Sequence, residues 1–265
     1  MFIATRTTRT VLLTAAVLLT IGIATLALTL PAALAAFFPT RYGFTRAADD
    51  IYIEGNASPQ DSAVILARIT AGQQRVRRFW GRTRASPRIL VCRSEACFRR
   101  LGGGRRKGMS ILDVLAILSP RGTDPVVAAH ELSMNEMLHR IGWLKFLCQT
   151  VPVWFNEGIA MIASDDRRYL GPPGTATRCL VPPPSPSALP GGPFEWNRMA
   201  LRDTRLYAKA ACATSRWLDD HGGNAAAVEL IDRLAAGQTS FAAAWQTPPK
   251  ATVGGQQEDV KPVAL

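Results

Sequence analysis

Between Thr10 and Arg41 the chain carries no charged side chain, and Val11 to Leu30 consists of Val, Leu, Ile, Ala, Gly and Thr. No polar face is visible over these residues, so a buried helix of a soluble domain does not account for them. Twenty residues at a rise of 1.5 Å make a helix of about 30 Å, roughly one hydrocarbon thickness. Arg6 and Arg9 precede the run and the first acidic residue is Asp49, a bias that puts the N-terminus in the cytoplasm and the remainder outside. Small residues at Ala32, Ala33, Ala35 and Ala36 resemble a signal-processing region, which makes a secreted domain the alternative. The run is longer than the roughly 7–15-residue core of a cleaved signal. The expectation is therefore a cytoplasmic N-terminus over 1–10, a transmembrane anchor or uncleaved signal over 11–30, and a juxtamembrane linker over 31–57, with Pro31 and Pro39 in it.

An exported domain is permitted disulfides by its compartment. The chain has five cysteines, none at the spacing of a zinc ribbon. Cys92 and Cys97 are close enough to bridge across a turn, and Cys179 with Cys212 would clip a proline-rich loop to a helix. The odd count leaves one thiol over. The formal charge of +11 is spread over many arginines, without a helix-turn-helix or RNA-recognition signature, so no nucleic-acid partner is expected. Anionic headgroups, envelope polymers or plain solvation account for it more simply.

The remaining chain reads as one α+β, mostly helical domain over 58–245. Ser58-Pro59 opens a helix with apolar residues at Ala63, Ile65, Leu66 and Ile69, continuing towards Phe79-Trp80. Arg88 to Cys92 reads as a short strand, and the latter half of Ser110 to Leu118 as another. Asp124-Pro125 is a cap followed by a first-turn proline, starting a helix to about Leu138. A further helix covers Val153 to Ile162. Residues 171–193 are dominated by proline and glycine and form a long loop. Helices resume from Glu195, break at His221-Gly222-Gly223-Asn224, and continue over Ala225 to Leu234. A polar tail over 246–265 is expected to be disordered.

Two segments carry chemistry. His130-Glu131-Leu132-Ser133 is followed by Met134. On a helix, positions 130 and 134 are about 40° apart on one face, which suits two ligands of a single tetrahedral zinc. Glu131, one residue round, can reach a metal-bound water and accept its proton. Downstream, Trp154-Phe155-Asn156-Glu157-Gly158 offers a carboxylate, with small residues Gly158 and Ala160 suited to a close approach of two helices.

In these segments the chain resembles the gluzincin-type, thermolysin-like zinc metallopeptidases, in particular bacterial membrane-anchored or exported ones. The resemblance rests on His130 to Ser133 and on Val151 to Ala160, and it spans roughly residues 88–245. It implies a zincin-like domain, Zn2+ as cofactor, His130 and Glu157 as metal ligands, Glu131 as catalytic base, and a protein or peptide substrate. It also marks Met134 as a vacated ligand position, since family members have histidine there, and Met161 stands where thermolysin-like members have a supporting aspartate. The implied protein is a single-pass bacterial inner-membrane hydrolase with its domain in the periplasm or outside, impaired at one ligand. A degenerate peptidase that binds a peptide or envelope partner through the old cleft is the alternative.

Few residues can replace the missing imidazole. A thioether is a soft ligand better matched to Cu(I) than to zinc. His139 faces about 180° from His130 on a regular helix and Glu136 about 120° off, leaving Asp165 or Asp166 at the end of the second helix. Tyr169, Tyr207 and His221 are candidate transition-state donors by location. Ser133 beside His130 lacks the nucleophile-elbow context of a serine hydrolase.

Overall fold

The computed structural model describes residues 31–246 apart from Ala176, together with Val17. The expected cytoplasmic segment and anchor (Val17 aside) and the tail from 247 onward lie outside the described residues. Among the described residues no helix is long and apolar enough to cross a membrane.

Helix α1 (Pro31–Phe37) leads into strands β1 (Phe44–Ala48) and β2 (Ile51–Glu54), the long helix α2 (Pro59–Trp80), β3 (Arg88–Val91) and α3 (Glu95–Arg100). Strands β4 (Gly108–Ile111) and β5 (Leu115–Leu118) precede α4 (Pro125–Ile141), the short α5 (Trp143–Leu147) and α6 (Val153–Ser164). Four helices close the chain: α7 (Pro193–Ala200), α8 (Leu206–His221), α9 (Asn224–Ala235) and α10 (Phe241–Gln246). The fold is α+β and mostly helical, with a five-stranded mixed sheet in the order β1-β2-β3-β5-β4. β2, β3 and β5 run parallel, while β1 and β4 are antiparallel edges.

The expected linker over 31–57 is therefore structured. It supplies α1, which buries Ala32, Ala35 and Ala36, and two strands of the sheet. The proline content of this stretch signals a turn, but it does not report that β2 will find its parallel partner beyond a helix, at Ile51↔Ile89 and Ile53↔Val91.

Both faces of the central strands are covered, as parallel pairing requires. Ile89 and Val91 of β3, with Ala116 and Leu118 of β5, face a large core shared with α2, α4 and the later helices. Leu90, Cys92, Leu115 and Ile117 face a smaller core made with α1 and α3, including Phe98. The alternation of these residues is the period-2 geometry of a strand.

The helices start where their caps dictate. Ser58 accepts from the Asp61 amide and Pro59 follows; Asp124 accepts from the Val126 amide and Pro125 follows. Gly72 of α2 sits against α4 so closely that a Cβ there would lie 2.9 Å from the Ala128 Cβ. The helix carrying the motif is thus wedged between α2 and α6.

Two disulfides complete the domain. Cys92–Cys97 joins the end of β3 to α3, and Cys179–Cys212 ties the proline-rich loop to α8. Cys148 is exposed and free. Such bonds belong to an oxidising compartment and mark an extracytoplasmic domain.

Candidate functional site

The buried α4–α6 contact brings the two motif segments together. His130 Nε2 lies 3.3 Å from Glu157 Oε2, with both side chains largely shielded from solvent. They open into a cavity of about 510 Å³. Met134 lines the same cavity one turn along α4. The opposite wall is β4, from Gly108 to Ser110, and a third side is formed by Tyr169 and Tyr207.

Glu131 is the most perturbed acid of the site. Burial pushes its carboxyl up to about 7, and the Glu157 charge adds to the rise; His130, Ser110 and Arg106 work in the other direction. The His130 ring is shifted upwards in spite of its burial, because Glu157 beside it, with Glu131 and Asp166, favours the protonated form. An acid held near neutrality in a cleft has the properties of a general base.

Gly108 permits this packing. A Cβ at 108 would lie 2.7 Å from both Cγ and Oε1 of Glu131, so a side chain there would push that carboxylate from its present position.

The spacing of these two donors can be tested against a zinc site. Two ligands bonded at about 2.0–2.1 Å in tetrahedral geometry are about 3.3 Å apart, the separation found between His130 and Glu157. Glu157 Oε2 is also buried without a hydrogen-bond partner among the described residues. The third corner fails. Among the described residues, the one group of three potential ligand atoms that converge is Glu54, Cys92 and Cys97, whose cysteines are disulfide-bonded. The residues of the cleft do not complete a three-ligand zinc set.

Each residue expected as a stand-in third ligand is engaged elsewhere. Glu136 accepts from the Arg84 and Ala85 amides at 2.9 Å and from Arg140 Nε at 2.7 Å, as a buried structural acid. His139 pairs with Asp113 at 2.8 Å. Asp165 is held by Arg178. Asp166 does line the cavity, but Arg168 grips it through Nε at 2.8 Å and Nη2 at 2.5 Å. Ser133 accepts from the Trp80 indole, so it is a packing contact and no nucleophile.

Of the three expected donors, Tyr169 and Tyr207 line the cavity and stack with ring centroids 5.3 Å apart. Burial raises both phenol pKa values, keeping the hydroxyls protonated as donors. His221 lies apart, stacked on Trp217 and bonded to its carbonyl. Gly158 does not serve the α4–α6 contact expected of it. It faces α8, where a Cβ would meet Thr214 Oγ1 at 2.1 Å and the Ala210 carbonyl at 2.8 Å.

Sequence reasoning missed Gly108, Ser110 and Asn156. Asn156, 2% exposed, lines the cavity with Oδ1 unpartnered among the described residues. Its place directly before Glu157 was a signal, since the same helix turn faces the cleft.

Compared with family models, curated proteins and solved structures, the chain finds no match in any of the three.

Proposed function

We propose that this chain is a metallopeptidase-like protein of the cell envelope whose cleft has kept peptide binding after losing a zinc ligand. The observation that carries the reading is the His130–Glu157 contact at 3.3 Å in a cavity that Met134 and Glu131 also line. That spacing would suit two ligands of one zinc and Glu131 would act as its base, but a thioether does not substitute for imidazole on zinc. The cleft has the other parts of a peptide site. β4 is a terminal strand of the sheet and lines the cavity, the position from which an extended peptide can add as a further strand.

In this reading the apolar run over 11–30 anchors the chain in a bacterial inner membrane, with the domain in the periplasm; release as a secreted domain is the alternative. A second reading, peptide hydrolysis by the natural chain, draws on Glu131, whose pKa near 7 suits a base.

Met134→His tests both. It returns an imidazole to the ligand face, one turn from His130, and is expected to raise zinc affinity at least about 100-fold, the scale on which lost site interactions act. Glu157→Ala in the same background should abolish the gain. Tight stoichiometric zinc binding and peptide hydrolysis by the natural chain, both lost in Glu157→Ala, would replace the binding reading with the hydrolytic one. No gain on Met134→His would remove the ancestral metal site from the argument.

A further inference from the structure

The charges in the cleft do not cancel within the protein. Asp166 is neutralised by Arg168 through two guanidinium nitrogens, and Glu157 by the His130 beside it. Glu131 is packed under Gly108, interacts with Ser110 and feels the charge of Arg106 without forming an ion pair with it. Arg106 and Lys107 remain, both exposed and both lining the cavity. Among the described residues neither has a carboxylate within ion-pair distance.

These two cations stand on a fixed backbone. The Lys107 carbonyl accepts from the Ser119 amide at 2.9 Å, and Arg106 N donates to the Gly103 carbonyl at 3.3 Å. Gly122 is packed onto the Lys107 carbonyl so closely that a Cβ there would overlap it. The loop is therefore held at its base, with the two side chains free to reach into the cleft mouth.

Two further features say what kind of molecule they face. Asn156 Oδ1 is a buried acceptor without a partner among the described residues, suited to an amide N–H. Met134, Phe146, Val153 and Trp196 line the same cavity, an apolar surface that matches side chains and not a polyphosphate.

We infer that the cleft selects peptides carrying a carboxylate, which Arg106 and Lys107 bind at the β4 end. The inference rests on the peptide-cleft reading and gives it a substrate class. An Asp or Glu side chain and a free C-terminus present the same chemistry to a guanidinium, so the source is left to the experiment.

Full-length protein in zwitterionic micelles is titrated calorimetrically with four N-acetylated, unlabelled octapeptides of one neutral sequence. One carries an internal Asp and an amidated C-terminus, one a free C-terminus alone, one no charge, and one an internal Lys. At least one carboxylate peptide should bind about tenfold tighter than the uncharged peptide, the Lys peptide should bind most weakly, and added salt should narrow the differences. Arg106→Gln with Lys107→Gln should erase the preference while leaving the circular dichroism spectrum unchanged. Whichever carboxylate peptide gains identifies the source. Equal binding of all four, unmoved by the double substitution, overturns the carboxylate site and leaves the peptide cleft standing. Binding by none overturns the cleft reading and the selectivity with it.

Discussion

The indole Nε1 of Trp80 donates to the Ser133 hydroxyl across 2.9 Å in the buried contact between α2 and α4. Ser133 is three residues past His130 and two past Glu131, so this bond is one of the contacts that hold α4 where both line the cleft. Arg140 stacks over the same indole at 5.1 Å. Ser133→Ala would strand a buried N–H, at a cost of about 1–3 kcal/mol. Trp80→Phe with Ser133→Ala should cost less than the sum of the two single changes, since no polar group is then left unpaired. Denaturant unfolding of the four proteins measures it, and strict additivity would show that the bond carries no coupling.

The acid behaviour of Glu131 makes stability depend on pH. Its folded pKa of about 7 lies above the ordinary value of 4.5, so the folded state holds the proton more tightly than the unfolded chain. The stabilisation is complete below about 4.5 and is lost as pH rises through about 7, amounting at most to roughly 3 kcal/mol. His130 is shifted upwards from 6.5, and its contribution is likewise lost as pH rises through its folded value. Chelator-treated protein should therefore unfold more readily at pH 8 than at pH 5. Glu131→Gln, which cannot ionise, should be more stable than the natural chain at pH 8 and show a shallower pH slope. A steeper slope in that variant would contradict the burial of the carboxyl.

What was readable in advance depended on how local the cause was. The starts of α2 and α4 follow from Ser58-Pro59 and Asp124-Pro125, each settled within a few residues. The approach of His130 to Glu157 was an expectation of the metallopeptidase resemblance, since helical spacing relates only residues of one helix. β1 and β2 were missed because β2 finds its parallel partner β3 only beyond a long helix, and β1 pairs with β2 alone. Gly108 and Ser110 acquire their meaning only when β4 is laid beside α4 against Glu131. Gly158 illustrates the opposite error. Its small size was correctly read as close helix approach, but the neighbour is α8, and a single sequence does not say which side of α6 faces which helix.

That α6–α8 contact is sharply testable. A methyl at 158 would collide with Thr214 Oγ1 and with the backbone carbonyl of Ala210, and α6 is buried along nearly its whole length. Gly158→Ala should destabilise by about 1–3 kcal/mol or more, the scale of overpacking in a close-packed interior, despite the better helix propensity of alanine. Adding Thr214→Ala should restore part of the loss and not all of it, because the Ala210 carbonyl cannot be removed. Full rescue would mean that α6 slides freely past the backbone of α8.

The two disulfides should differ in what they contribute. Cys92–Cys97 closes a sequence separation of 5, whereas Cys179–Cys212 closes one of 33. Chain entropy of the unfolded state then assigns about 2 kcal/mol to the first and nearly 4 kcal/mol to the second. The longer bond also restrains the loop over 171–193, whose Leu170↔Cys179 bridge begins beside Tyr169 at the cleft. Replacing Cys179 and Cys212 by alanine should lower the unfolding midpoint more than replacing Cys92 and Cys97. It should also weaken any cleft ligand, because Tyr169 loses the anchored loop that follows it. Cys92, at the end of β3, is two strands from the edge that lines the cleft, and Cys97 lies in α3, so their loss should reach the site through the Arg106–Lys107 loop that follows α3. The ordering is read from thermal unfolding without reductant. A larger fall for the Cys92–Cys97 variant would show that packing in the small core beneath α3, and not loop closure, governs what these bonds contribute.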